Sequence, residues 1–292
     1  MKNIQKASIA RLEMTASMVI FGTIGIFVHY IPLPSSILAL VRGIVGVIFL
    51  LLVVVSTKKN MSLSAIKRNL CFLIPSGIAI GINWILLFEA YHYTTVATAT
   101  LCYYLAPIFV ILISPLMLKE KLTVKKILCS LVALGGMVFV SGILETGVQD
   151  FSELKGILFG LGAALFYATV ILLNKKLKDI SAYDKTIVQL GVSVVVLLPY
   201  TLVTQSIDLS ILSPRILVLL LIVGIVHTGM AYALYFGSMK ELKAQTVAIF
   251  SYIDPVVAIL LSALFLHQGL GLTGMLGAVM ILGATFVSET VS

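Results

Sequence analysis

The stretch TVAIFSYIDPVVAILLSALFL, residues 246–266, is apolar except for the acid and proline at its centre, in the tetrapeptide Tyr252-Ile253-Asp254-Pro255. A second stretch, residues 97–118, carries Tyr104-Leu105-Ala106-Pro107, with the same tyrosine and proline spacing and an alanine in place of the acid. Each run is close to the roughly 20 residues a helix needs to cross a hydrocarbon core. A charge at the centre of such a helix costs roughly 2.5 to 3.5 kcal/mol, so Asp254 is expected to face a cavity or a partner rather than lipid. Neither proline can donate to the carbonyl four residues back, so a kink is expected at Pro107 and another at Pro255.

The rest of the chain is of the same kind. Its 292 residues are 60% hydrophobic and 11% charged, whereas soluble domains are about a quarter charged. Ten spans are read at about 13–31, 36–56, 70–90, 96–118, 126–144, 155–174, 186–205, 215–236, 245–266 and 271–288. With a cytoplasmic N-terminus, 17 of the 20 Lys and Arg residues fall on the cytoplasmic side; Lys155 and Arg215 lie outside, and Arg42 lies within the second span. Both termini are therefore expected in the cytoplasm. The net charge of +8 is a topology signal, and nucleic acid is not an expected partner. Three cysteines without metal-ligand spacing predict neither a disulfide framework nor a metal site, and no cofactor motif survives inspection. Gly269 to Gly274 match the dinucleotide fingerprint, but they follow a membrane helix and not a strand. Asn60-Met61-Ser62 matches a glycosylation acceptor on the side predicted to be cytoplasmic. No cluster of nucleophile and base stands in a loop, so an enzyme is not expected.

The acidic segment 145–153 divides the chain into 1–146 and 147–292. Aligning Pro107 with Pro255 also aligns Gly81 with Gly229, Trp84 with Tyr232, Phe88 with Phe236, Ser114 with Ser262 and Gly135 with Gly283. With small shifts, Phe21-Gly22 meets Tyr167-Ala168 and Arg42 meets Gln189. Two repeats of five spans, an odd number, must sit in opposite orientations. That predicts an all-α polytopic membrane protein of ten helices with a site at the repeat interface near the midplane.

This pattern resembles the drug/metabolite transporter superfamily, in its ten-helix EamA-like branch, over nearly the whole chain. The residues that carry the resemblance are Phe21-Gly22, Arg42, the run from Thr94 to Pro107 leading to Leu118-Lys119-Glu120, and the corresponding run through Pro255 to Leu266-His267-Gln268. Repeats of that family often end this helix in Leu-Gly-Glu. Here Glu120 keeps the acid in the first copy, Gln268 replaces it in the second, and both glycines are absent. The resemblance implies a central cavity lined mainly by the first, third, fourth, sixth, eighth and ninth helices, with the fifth and tenth peripheral.

The expected substrate-binding residues are Asp254, Asn83, Trp84, Tyr103, Tyr167, Tyr232, Tyr235, Ser251 and Tyr252. Aromatic rings around an acid suit an ammonium group. Asp254 and His227 are the candidates for proton coupling. Arg42 and Glu89, at similar depth in adjacent spans, either pair with each other or leave Arg42 to meet a substrate carboxylate. The expected function is secondary transport of a small organic metabolite, an amino acid or an amine favoured, across the inner (cytoplasmic) membrane, by alternating access and coupled to protons. Uptake of a quaternary ammonium or other organic cation is the first alternative. A non-transporting sensor or a membrane-embedded enzyme is the second. Beyond the substrate, the proton and the lipid bilayer, the sequence is compatible with a homo-oligomer.

Overall fold

A computed structural model describes residues 2–58, 60–94, 96–141, 151–206, 212–265 and 272–290. These residues form thirteen α-helices and one π-helical segment, with no strand among them. The first six helices are α1 (Lys2–His29), α2 (Ser35–Ser56), α3 (Leu63–Tyr93), α4 (Val96–Tyr103), α5 (Ala106–Leu118) and α6 (Val124–Ser141). After them come α7 (Phe151–Asn174), α8 (Ala182–Thr204), α9 (Pro214–Gly224), the π segment Ile225–Met230, α10 (Ala231–Ser238), α11 (Ala244–Phe250), α12 (Ile253–Phe265) and α13 (Leu272–Thr290). The expected boundary segment, the fingerprint glycines up to 271, and His267-Gln268 lie outside the described residues, in whole or in large part.

Among the described residues, seven segments are long and apolar enough to cross a membrane: 6–29, 35–56, 63–93, 99–118, 154–174, 182–204 and 214–238. The apolar helices at Ala244–Ala258 and Leu272–Val287 are shorter, and α6 is 18 residues long. The chain is thus an all-helical, multi-pass membrane protein. The expected ninth span is not one straight helix, because the chain turns at Ser251 and Tyr252 between α11 and α12.

Local chemistry sets many of the helix ends. Ser62, Ser181 and Ser213 cap α3, α8 and α9 by accepting backbone N–H groups with their hydroxyls, which satisfies donors that a helix start leaves free. Pro34 occupies the position just before α2. Proline appears again in the first turns of α5 and α9, where its missing N–H costs nothing.

Helices meet where side chains are absent. A Cβ on Gly77 of α3 would lie 2.7 Å from the Gln189 carbonyl oxygen and 2.6 Å from Val192 Cβ, and one on Gly81 would lie 2.8 Å from Val196 Cβ. Across the bundle, Gly224 receives Val45 of α2, and Gly229 receives Phe49 and the Gly46 carbonyl oxygen. Helix α3 therefore packs on α8, and α2 on the α9–π junction. The pair α6 and α13 packs together, its buried residues forming a cluster with Tyr104 and Tyr252.

Candidate functional site

Between these helices lies a cavity of about 360 Å³. It reaches from Asp254 toward the end of the bundle where α1 gives way to α2, near Val28 and Ser35. Its wall is aromatic. Trp84 and Tyr232 meet edge-on at 6.2 Å, Tyr232 and Tyr235 at 6.4 Å, and Tyr167 and Tyr235 stack at 6.5 Å. Tyr103 stacks on Tyr167 at 5.4 Å and meets Tyr104 edge-on at 5.7 Å. The hydroxyls of Tyr167 and Tyr235 are hydrogen-bonded at 2.8 Å. Offset and edge-to-face rings of this kind hold one another in place, which makes the wall a rigid surface.

A cation stands at one end of this wall and a carboxylate at the other. The Arg42 guanidinium lies over the Trp84 ring, 4.5 Å from its centroid, a geometry that stabilises a guanidinium by about 0.5 to 2 kcal/mol. Its Nε is buried without a hydrogen-bond partner, so the fork is held by a ring face and keeps donors available. At the other end, the Tyr104 hydroxyl donates to Asp254 Oδ2 at 3.4 Å. Asp254 does not sit at a helix centre as expected. It occupies the first turn of α12, where the positive end of the helix dipole favours a carboxylate, and this lowers the cost of having a charge there. Gly22 lets α1 approach the same point: a Cβ there would sit 2.7 Å from the Asp254 carbonyl oxygen.

Each proline stands just after an interruption of its helix. The α-helical hydrogen-bond ladder is interrupted at Tyr104–Leu105 and again at Ser251–Tyr252, where Leu105 and Ser251 keep right-handed helical dihedrals, and it resumes with Pro107 and Pro255 in the first turns of α5 and α12. The Tyr104 carbonyl, beside the first break, accepts the Tyr252 hydroxyl at 3.1 Å. Backbone outside the helical ladder survives inside a membrane protein where it is satisfied in this way or lines a cavity.

Of the expected site residues, Arg42, Trp84, Tyr103, Tyr167, Tyr232, Tyr235 and Asp254 all line this one cavity. Others are engaged elsewhere. Asn83 is buried and donates to the Ala163 carbonyl of α7 at 2.6 Å, so it pins α3 to α7 rather than facing a ligand. Ser251 donates to the Ala248 carbonyl at 2.6 Å within its own turn, and Tyr252 is buried against Tyr104. His227, buried in the π segment, shares a 2.8 Å hydrogen bond with Thr23 Oγ1 and packs on Phe27. The expected pairing of Arg42 with Glu89 is also corrected. Helix α8 packs against both α2 and α3, which barely touch each other, and Glu89 accepts the Tyr200 hydroxyl of α8 at 2.5 Å.

The sequence reading missed Phe21, Tyr91, Thr100 and Tyr104 as cavity residues, along with the wall that α2 contributes through Ser35, Leu38 and Ala39. Tyr104 had a signal, since it stands in the opening motif at the position matching Tyr252. The role of Glu120 was also missed. Its two carboxylate oxygens accept the Ala244 and Gln245 N–H groups at 2.8 and 3.4 Å, which caps α11. Beside it, Lys175 Nζ donates to the Met239 and Leu242 carbonyls at 2.8 and 2.6 Å. These contacts clamp together the ends of α5, α7 and α10 and the start of α11. Among the described residues no cluster of His, Cys, Asp and Glu is arranged to hold a metal ion.

Comparison with known proteins gives consistent results. The profile of the EamA-like transporter family matches residues 10–142 and again 154–290. An uncharacterized transporter of Bacillus subtilis, YxxF, is 33% identical over 279 residues, which span 95% of this chain and 88% of that protein. An uncharacterized transporter of Archaeoglobus fulgidus is 31% identical over 67% of each chain, and protein PecM of Dickeya dadantii is 24% identical over 73% of this chain and 71% of its own. One solved crystal structure superposes with a TM-score of 0.85 over 97% of this chain and 96% of that one, at 17% identity. That last likeness concerns the fold.

Proposed function

The chain belongs to the EamA-like transporter family, and we propose that it is a secondary transporter carrying a small zwitterionic metabolite, an amino acid foremost, by alternating access. One observation carries this reading: Arg42 and Asp254 line one cavity, with aromatic rings in contact from Trp84 under the guanidinium to Tyr104 at the carboxylate. A substrate carboxylate is placed to meet the free donors of Arg42, and its ammonium to meet Asp254 and the tyrosine faces, while the rings between them take an apolar side chain. The carboxylate then binds either the ammonium or a proton, and that exclusion couples the two. Glu120 and Lys175 close the far end of the bundle while the cavity is reached from the α1–α2 end.

The proposed architecture is ten crossings built as two inverted repeats, 1–146 and 147–292, with both termini in the cytoplasm and the chain in the bacterial cytoplasmic membrane. Two blocks of family similarity support it, as do the paired glycine seams, Gly77 and Gly81 against α8, and Gly224 and Gly229 against α2. The distribution of Lys and Arg supports the orientation.

The test is flux of amino acids into or out of proteoliposomes, with and without a pH gradient. Saturable flux of at least one amino acid, accelerated by the gradient and lost in Asp254→Asn, is the expected result; no flux with any amino acid would defeat the proposal. A second reading, transport of an organic cation, is favoured by the tyrosines gathered at Asp254. It is distinguished by Arg42→Gln, which should spare a cation substrate and impair a zwitterion.

A further inference from the structure

A second, smaller pocket lies where the end of α7 meets the start of α8 and the turn after α10. It has a volume of about 50 Å³ and is lined by Asn174, Lys175, Asp179, Lys185 and Lys240 among others. Lys185 is 4% exposed. Its backbone N–H donates to the Ser181 carbonyl at 3.2 Å, but among the described residues its ammonium has no hydrogen-bond or ion-pair partner. The adjacent acid, Asp184, is turned away and accepts the Ser62 N–H at 3.4 Å. An ammonium buried without a counter-ion is costly, and such groups are paired or neutralised in folded proteins. Lys175 is spent on the Met239 and Leu242 carbonyls. Lys240 stands exposed at the rim. Glu120 and Glu241 counter Lys175, so the charge left to the pocket is that of Lys185 and Lys240, against one carboxylate in the wall, Asp179.

We propose that this pocket is an anion site for a phosphoryl group, held between the Lys185 and Lys240 ammoniums. The volume of about 50 Å³ is of the size of one tetrahedral oxyanion. The lysines that build it lie on the side where most of the Lys and Arg residues fall, the side expected to face anionic lipid. The phosphoryl group is supplied either by an anionic lipid headgroup or by free phosphate. Its position has a mechanical consequence, because it ties the start of α8 to the same α10–α11 turn that Glu120 and Lys175 clamp. Occupancy of the site therefore holds that end of the bundle closed. The site stands apart from the central cavity and does not depend on the identity of the transported substrate.

Thermal unfolding of the full-length protein in phosphate-free maltoside micelles tests this. One arm adds inorganic phosphate and is compared with chloride at equal ionic strength; the other adds phosphatidylglycerol and is compared with phosphatidylcholine. A rise in the melting midpoint of about 3 °C is expected in at least one arm, and the responding arm identifies the source. Lys185→Met and Lys240→Ala should each lose most of that rise, whereas Lys67→Ala, on an exposed face of α3, should keep it. Lys240 is exposed, so its variant reports on binding even if Lys185→Met folds poorly. No shift in either arm overturns the site, and so does a full shift retained in Lys240→Ala.

Discussion

The two helix breaks carry the same tyrosine and proline, yet they use them differently. At the first, Tyr104 and Leu105 turn before α5, and the Tyr104 carbonyl receives the Tyr252 hydroxyl. At the second, Ser251 and Tyr252 turn before α12, and the hydroxyl returned by Tyr104 goes to the Asp254 carboxylate. One tyrosine therefore satisfies backbone, and the other orients an ionisable side chain. The first break has Ala106 where the second has Asp254, so only one of the two half-helix starts presents a charge to the cavity. Similar breaks serve as scaffold on one side and recognition on the other.

The largest expected effect comes from removing that asymmetry. Asp254→Asn should lower flux by about 100-fold, the equivalent of a lost charge-assisted contact of up to about 3 kcal/mol; wild-type flux would show both breaks to be scaffold. Next, Arg42→Gln should weaken the affinity for carboxylate-bearing substrates about ten-fold and leave decarboxylated amines within about two-fold, as measured by competition binding. The two tyrosines then separate the roles directly. Tyr252→Phe should cost about 1 kcal/mol of stability, because it strips the Tyr104 carbonyl of its donor, with little change in substrate affinity. Tyr104→Phe should do the reverse, weakening substrate binding several-fold at nearly unchanged stability. Equal stability losses in the two variants would erase the distinction. The smallest effects belong to Pro107→Ala and Pro255→Ala, each expected within about 1 kcal/mol by thermal unfolding, since the first turn of α5 and of α12 tolerates a missing N–H.

Much of this molecule could be read from its residues, for identifiable reasons. Apolar runs bounded by Lys and Arg report crossings because the bilayer sets their length, and Asp254 stood out because charge is costly there. What failed was the direction in which side chains point. In a membrane bundle both the lipid face and much of the interior are apolar, so periodicity does not say which side of α3 faces the cavity. Asn83 and Trp84 are neighbours in sequence, and one pins α7 while the other lines the site. Glu89 was misassigned because its acceptor role is met by Tyr200, 111 residues away. The prolines announce the interruptions, since each lacks the N–H that would close the turn before it, but they do not say which groups satisfy the carbonyls left open.

The π segment sets the spacing of one glycine seam. The glycines that receive Val192 and Val196 are Gly77 and Gly81, one α-turn apart, whereas those that receive Val45 and Phe49 are Gly224 and Gly229, one residue further apart. The extra residue is lodged within Ile225–Met230, where the Thr228 hydroxyl reaches back five positions to the Val223 carbonyl. The same slip appears when the two halves are aligned: Arg42 with Gln189 and Gly77 with Gly224 share one offset, and Gly81 with Gly229 needs an offset one residue longer. A wide turn of this kind holds one residue more than an α-turn without rephasing the helix beyond it. Tyr232 and Tyr235 line the cavity beyond this wide turn, and excising one residue between 225 and 228 should return an unbroken α-helix with both rings still in place.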